Sequence, residues 1–455
     1  VNSTHHELIV IGAGAGGLNA ARRAAQSGRE VLLVERARPG GECTWAGCIP
    51  SKALIRIAET YHSARRFGVS AVDGQDVMRR VRELTLTAHR AETVEMLEAE
   101  GITYLHGAAV FLDPRRIVVD GRVLTADHVI LSTGSRPARP PIEGLDAVEV
   151  LTNANVFELD TVPRSMIVLG AGAIGVELSQ AFARLGTDIT LVEMAPSILP
   201  REDPEQAAEL ASVLHDEGVE IRTRSRAVRA DPRTDGVAIT VDRDGAREIL
   251  VAEHVLVALG RTPNLEGLGL AAAGVRIDKR GVPVNGYMQT NVPHIYAVGD
   301  IVGPYQFSHM AGAQARTAVD HLLGLQPVPM TDEHAWCTFT HPEFARTGLA
   351  EHDVRAVHGD DYVLFSARMS AADRAVVDER TIGSVKVLCT PDGLILGASI
   401  LGARAGELLG ELQILKTLGE PIHRVFDSLH PYPGYGEVLL ALEPASPSEG
   451  ALAPA

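Results

Sequence analysis

Cys43 and Cys48 are separated by four residues in the segment Gly40-Gly-Glu-Cys43-Thr-Trp-Ala-Gly-Cys48-Ile-Pro-Ser-Lys52. A structural zinc site would need two or more further ligands at suitable spacing. The other two cysteines, Cys337 and Cys389, are distant and isolated, so no metal is expected. Two buried structural thiols are the plain alternative. A redox-active pair accounts for more of the segment. Pro50 stands where the first turn of a helix tolerates proline. A thiolate near a helix N-terminus and a lysine, here Lys52, has the lowered pKa that disulfide exchange requires.

The elements that position this segment are read from an internal repeat. The first copy is an apolar run, Leu8 to Ile11, followed by Gly12-Ala-Gly14-Ala-Gly-Gly17, a helix-like stretch, and Val31-Leu-Leu-Val-Glu35. The second is Met166-Ile-Val-Leu-Gly170-Ala-Gly172-Ala-Ile-Gly175, a helix, and Ile189-Thr-Leu-Val-Glu193. Each reads strand, glycine turn, helix, strand. A lone G-x-G-x-x-G is weak, but both copies follow a strand, open a helix and end on an acidic residue. Gly12 and Gly170 permit the tight turn, Gly14 and Gly172 let backbone approach a pyrophosphate, and Gly17 and Gly175 allow close helix–strand packing. The helix N-terminus offers free N–H groups to phosphate. Glu35 and Glu193 are set to accept ribose hydroxyl hydrogen bonds. Two units imply two dinucleotides, a flavin and a nicotinamide. A carboxylate at Glu193 would repel a 2′-phosphate, which favours NAD(H). Arg201 is close in sequence and keeps NADP(H) as an alternative.

The spacing also predicts a helix over 76–100, strands over 237–241 and 253–259, and, from about residue 330, a third region of α+β character. That region has strands over 362–365, 384–388 and 394–400 and a helix over 405–418. Residues 444–455, rich in Ala, Pro and Ser, read as disordered, and His5 and His6 as a solvated start. The fold class expected is α/β: two Rossmann-like dinucleotide-binding units plus a C-terminal α+β domain. At about 150 residues per domain, 455 residues suggest three domains. The 58 acidic and 42 basic residues leave a formal charge of −16, which argues against nucleic acid and anionic membranes as partners. Four cysteines are not a secreted disulfide framework. No apolar run reaches the ~18–20 residues of a membrane span, and the start lacks the pattern of a signal peptide. A cytoplasmic protein is expected.

The stretch from Cys43 to Lys52 closely resembles the active-site motif of the FAD-dependent pyridine nucleotide–disulfide oxidoreductases, a family that includes dihydrolipoamide dehydrogenase, glutathione reductase and mercuric reductase. Ser132-Thr133-Gly134, Gly260-Arg-Thr-Pro-Asn264, Ile295-Tyr-Ala-Val-Gly-Asp300 and Phe339-Thr-His-Pro-Glu-Phe-Ala-Arg-Thr-Gly348 resemble further family segments, so that the likeness covers nearly the whole chain. It implies an FAD domain in two segments (1–147 and 261–330), an NAD(P) domain between them (148–260) and a dimerisation domain (331–455). It implies that Cys48 is the flavin-proximal thiol, whose thiolate donates charge to the isoalloxazine, and that Cys43 is the interchange thiol. Lys52 would lie near the flavin, ion-paired with Glu177; the alternative for that pair is two ordinary surface charges. FAD falls to Gly12, Gly14, Gly17, Glu35, Lys52, Gly107, Thr133, Gly134 and Asp300. NAD falls to Gly170, Gly172, Ile174, Gly175, Glu193 and Gly260, with Ile174 gating the nicotinamide pocket. A homodimer is implied, in which Tyr432 and Glu437 act across the interface.

The C-terminal segment His430-Pro-Tyr432-Pro-Gly-Tyr-Gly-Glu437 departs from the family. Its disulfide reductases typically carry a histidine where this chain has Tyr432. A phenol with a pKa near ~10 is mostly a hydrogen-bond donor and a poor base at neutral pH, whereas an imidazole near ~6.5 can take and return a proton. His430 could substitute or serve as a structural interface residue. Mercuric reductases share the tyrosine but typically end in adjacent cysteines, and residues 449–455 contain none. Trp45 either crowds the disulfide or packs against flavin or the neighbouring subunit. Cys337 and Cys389 are given no role. The reading is transfer from NADH through flavin to Cys43–Cys48 and on to a small-molecule or protein disulfide, a thiol-bound metal or a related electrophile. The alternatives are a quinone-, oxygen- or transhydrogenase-type flavoenzyme that bypasses the cysteines, and a non-catalytic NADH/FAD sensor.

Overall fold

The computed structural model describes residues 4–69, 72–331 and 333–445. Its first sheet has the order Ile102–His106, Val31–Glu35, Thr4–Ile11, Arg122–Leu131, Arg116–Val119, Ala109–Phe111. The strand Ile295–Ala297 pairs in parallel with the end of Arg122–Leu131, so the chain returns to this sheet after the second repeat. Along Thr4–Ile11, alternate side chains enter opposite cores, as the two-residue period of a strand requires. Leu8 and Val10 meet the helices Ala15–Gln26 and Ser308–Leu322, while Ile9 and Ile11 meet Phe111, Ile117, Leu268 and Val275. Burial on both faces explains why Leu8 to Ile11, the second half of this strand, is a continuous apolar run.

The second sheet is parallel, in the order Val219–Arg222, Asp188–Val192, Ser165–Leu169, His254–Val257, Val150–Leu151. One face packs on a three-stranded antiparallel sheet through Val237, Ile239 and Val241. The other packs on the helices Ala173–Arg184 and Pro204–Asp216, and the same core takes in Ala53, Leu54 and Ala58 of the helix Cys48–Ala64. The thiol-bearing helix is thereby fixed against the second repeat. A two-stranded ladder, Ser135–Pro137 with Arg261–Pro263, joins the two units. The C-terminal region is a six-stranded sheet with the helix Ala405–Leu418 against it.

Three expectations are corrected. The helix over 76–100 is two helices, Gly74–His89 and Val94–Ala99. Thr93 interrupts the period by turning its hydroxyl onto the amide of Met96 and starting a new helix, a local capping bond that a periodicity reading overlooks. His5 and His6 belong to the first strand; His5 is exposed, as expected, whereas the side chain of His6 is largely covered, with Nδ1 2.8 Å from Glu30 Oε1. Residues 444 and 445 end a strand, Glu443–Ala445, that pairs with Val363–Arg368. The rest of the predicted tail lies outside the described residues. Among the described residues no helix is long and apolar enough to cross a membrane.

Candidate active site

The two glycine turns match bond for bond. Gly12 and Gly170 both have φ +102°, open to glycine and strained for other residues. Glu35 accepts from the amides of Ala13 (2.7 Å) and Ala37 (2.8 Å), and Glu193 from those of Ala171 (2.7 Å) and Ala195 (2.8 Å). Each carboxylate is thus locked at the mouth of its turn. A Cβ on Gly17 would lie 1.8 Å from the Gly12 carbonyl oxygen, and one on Gly175 1.8 Å from that of Gly170. Both helices begin with a glycine N-cap, no side-chain cap and no acidic residue in the first turn. Their free N–H groups suit a pyrophosphate.

A continuous cavity of about 2040 Å³ joins the turns. That is roughly twice the upper range of ordinary small-ligand pockets, room enough for two dinucleotides. Its wall includes Gly12, Gly14, Glu35, Gly107, Thr133, Gly134 and Asp300 on one side and Gly170, Gly172, Ile174, Glu193 and Gly260 on the other. Gly17 and Gly175 stand behind the wall, in the helix–strand contact. These residues fit two dinucleotides.

Cys43, Cys48, Lys52 and Glu177 line the same cavity. Cys43 lies in the short helix Gly41–Ala46, and Cys48 opens the helix Cys48–Ala64. Both are free thiols, Cys43 half-buried and Cys48 exposed. The hydrogen bond from Cys43, the Ser308 hydroxyl and the Lys52 charge push the Cys48 thiol down to about 6, against the effect of burial. The same bond to Cys48, with burial, pushes the Cys43 thiol far up. The reduced pair is therefore polarised: a proton on Cys43 and a negative charge on Cys48. Lys52 Nζ is 2.9 Å from Glu177 Oε2 and 4.3 Å from the centre of the Phe339 ring. The other oxygen of buried Glu177 accepts from the Phe339 amide at 2.8 Å. One carboxylate therefore ties together the thiol helix, the second repeat and the C-terminal region.

Several contacts escaped the sequence reading. Arg261 bonds Glu42, the neighbour of Cys43, and donates to Ser135 Oγ at 2.7 Å; Ser135 in turn donates to Asp300 at 2.5 Å. Asn153 donates to Glu42 at 2.7 Å. Arg261 lies within the quoted segment Gly260-Arg-Thr-Pro-Asn264 and Ser135 directly follows Gly134, which was the signal available. Trp45 is taken up within its own chain, between the Arg38 guanidinium at 3.5 Å and the His89 ring at 4.2 Å, with Nε1 donating to the Pro39 carbonyl. Cys337 also lines the cavity, and burial pushes its thiol well up. Cys389 is buried, which pushes it up to about 12.

His430, Tyr432 and Glu437 do not line this cavity. His430 Nε2 lies 2.9 Å from Glu411 and Nδ1 3.2 Å from the Ser428 carbonyl, so both ring nitrogens are engaged. Tyr432 is 74 % exposed and donates to Asp373 Oδ2 at 2.8 Å. Glu437 accepts from the amides of Asp373 and Gly434. Its carboxylate holds the loop rather than the phenol.

Comparison with known proteins agrees with this geometry. Residues 6–320 match the family model described as pyridine nucleotide-disulphide oxidoreductase, and residues 334–442 the dimerisation domain of the same description. The chain is 35 % identical over 446 residues to a dihydrolipoyl dehydrogenase of Thermus scotoductus, covering 96 % of each chain. It is 35 % identical over 421 residues to one of Bacillus subtilis, covering 89 % and 90 %. Among solved structures, the HOCl-induced flavoprotein disulfide reductase RclA from Escherichia coli is similar at TM-score 0.87 and 27 % identity, over 96 % of this chain and 99 % of that one. LpdA from Mycobacterium tuberculosis is similar at TM-score 0.87 and 27 % identity, over 96 % and 98 %.

Proposed function

The chain belongs to the pyridine nucleotide-disulphide oxidoreductase family, and we propose that its FAD-dependent, NAD(P)H-linked electron transfer runs through Cys43 and Cys48 in the direction of disulfide reduction. Bound FAD supplies the chemistry that links a hydride donor to sulfur. FAD is held by the first repeat and NADH by the second, where the locked Glu193 carboxylate disfavours a 2′-phosphate. The dimerisation domain supports a homodimer.

The observation that carries the reading is the polarised thiol pair on the shared cavity. The Cys43 proton moves to the neighbouring Cys48 sulfur as the Cys43 thiolate attacks the substrate disulfide, and passes from there to the first departing thiolate. The Cys48 thiolate then attacks the Cys43 sulfur, releases the second thiolate and closes the Cys43–Cys48 disulfide. The pair is oxidised by two electrons and the substrate is reduced by two. Anaerobic titration of the holoenzyme with NADH tests this. A long-wavelength thiolate-to-flavin absorbance is expected before the flavin bleaches. Because Cys48 is pushed down to about 6, the band should persist at neutral pH and fade only as the pH falls through that value. Direct bleaching with no band would move the function to quinone, oxygen or transhydrogenase chemistry.

Tyr432 favours reduction over dithiol oxidation. Oxidising a dithiol requires a base for a thiol near pKa ~8.5, and a phenol is a poor one at neutral pH. The hydrogen bond to Asp373 pushes the Tyr432 phenol further up, away from the phenolate. Reduction instead asks for a hydrogen-bond donor to the leaving thiolate, which Tyr432 of the partner subunit can be. Tyr432→His is expected to raise dihydrolipoamide oxidation at neutral pH by about 10²-fold, the usual contribution of a placed general base, with Asp373 at hand to orient the imidazole. NAD⁺ reduction rates measure it, and an unchanged rate would mean that proton transfer at this position is not limiting.

A further inference from the structure

Ser308 is 260 residues from Cys48 in sequence, yet its hydroxyl oxygen is 3.4 Å from the Cys48 sulfur. It is the first residue of the helix Ser308–Leu322, whose N-cap, Phe307, makes no side-chain capping bond. Serine is a weak former inside a helix and a strong one at the N-cap. Here it sits one position too late to cap, and the Cys48 sulfur is the hydroxyl's partner. The helix that carries it is anchored: Ala315, Ala318 and Val319 pack in the same core as Leu18 and Ala21 of the helix Ala15–Gln26. The hydroxyl therefore approaches the sulfur from a rigid element other than the thiol's own helix. A local preference given up at a rigid junction is the pattern expected of a functional position.

The groups that can set the charge of Cys48 are few. Cys43 shares a proton with it from the preceding helix. Lys52, one turn along its own helix, is already paired with Glu177 at 2.9 Å, and so much of its charge is spent. The N-terminus of its own helix favours a thiolate. Among the described residues the remaining directional donors are the amide of Cys48 itself and Ser308, and of these two Ser308 alone comes from a separate element. We propose that Ser308 is a positioning residue for the redox pair: its hydroxyl donates a hydrogen bond to the Cys48 sulfur and helps to hold the negative charge there. This rests on the reading that the pair relays electrons. Without the bond the thiolate at Cys48 would be weakened.

The test is the pH profile of Cys48 alkylation by iodoacetamide in the reduced, anaerobic holoenzyme, read peptide by peptide by mass spectrometry. In the wild type the midpoint should lie near 6. Ser308→Ala should move it up by about one pH unit, the worth of one hydrogen bond to a charged group. Ser308→Thr, which keeps the donor, should stay with the wild type. Alanine is the better helix former, so folding should hold, and FAD content and flavin absorbance serve as controls. A Ser308→Ala profile that overlays the wild type overturns the inference and leaves the relay standing. A wild-type midpoint at the ordinary thiol value overturns both. If threonine shifts as far as alanine, the effect is packing and the inference fails.

Discussion

Cys43→Ser is expected to lower NADH-dependent disulfide reduction by about 10³-fold or more, because a hydroxyl can neither attack sulfur usefully nor close a disulfide. Its effect on Cys48 should be small. The serine hydroxyl can replace the Cys43 thiol as hydrogen-bond donor, and both Ser308 and Lys52 remain. Cys48, no longer able to be tied up as a disulfide, should therefore carry its charge in the enzyme as purified, and the long-wavelength absorbance should be present before any NADH is added. Oxidation of NADH by a one-electron acceptor such as ferricyanide bypasses the outer thiol and should stay within about threefold of wild type, since no contact to the second repeat is touched. Stopped-flow absorbance and steady-state rates on one preparation separate these readouts. Retention of more than about a tenth of the disulfide-reducing rate would mean that the electrons do not leave through Cys43, and the quinone- or oxygen-reducing alternative would take its place.

The division between what was legible in the sequence and what was not follows sequence distance. The glycine turns and their acidic ends were readable because strand, turn, helix and next strand are consecutive, and the bonds from Glu35 to Ala13 and from Glu193 to Ala171 span only 22 residues each. The thiol pair was readable for the same reason. Lys52 and Glu177 were paired through a family likeness, and the burial of Glu177 on the Phe339 amide had no trace in the pattern. Ser308, Asp373 and the Glu42–Arg261 contact were invisible because the topology brings them together. The chain leaves the first sheet, builds the second, and returns through Ile295–Ala297 before the helix of Ser308 begins. No periodicity encodes which serine of a returning helix will face a sulfur. The same holds for Tyr432, whose type was informative but whose partner, Asp373, lies 59 residues away.

Those long-range contacts share a layout. The thiol helix, the second repeat and the C-terminal region meet at Glu177, while the first sheet's returning segment reaches the pair through Asp300, Ser135 and Arg261 to Glu42. Every unit of the chain therefore has a polar contact within a few bonds of the two sulfurs. A charge moved onto Cys48 is held by groups from three elements at once, which is how a protein fixes which of two chemically identical thiols is ionised.

Lys52→Met should destabilise the protein more than Glu177→Gln does, although both remove the same ion pair. The two partners are unequally buried: the Glu177 side chain is 7 % exposed and that of Lys52 is 36 % exposed. Removing the lysine strands a buried carboxylate with only the Phe339 amide to hold it. Breaking a fully buried pair costs about 3–5 kcal/mol; with one partner a third exposed, about 2 kcal/mol is expected for Lys52→Met. Glu177→Gln keeps the acceptor for the Phe339 amide and leaves a lysine that can turn to solvent, so about 1 kcal/mol or less is expected. The double variant Lys52→Met/Glu177→Gln should recover most of the loss, because the stranded charge is gone. Thermal unfolding of the four FAD-loaded holoenzymes measures this, and strictly additive losses would mean the pair is no more than two surface charges. Catalysis should not recover with stability. Each single variant and the double should slow flavin reduction by NADH about 10²-fold, since a fixed charge at the reacting site is worth about 3 kcal/mol in low dielectric and cannot be replaced by packing. If the double variant regained its rate along with its melting temperature, Lys52 and Glu177 would be structural, and the electrostatics of the site would have to come from Arg261 and the helix N-termini alone.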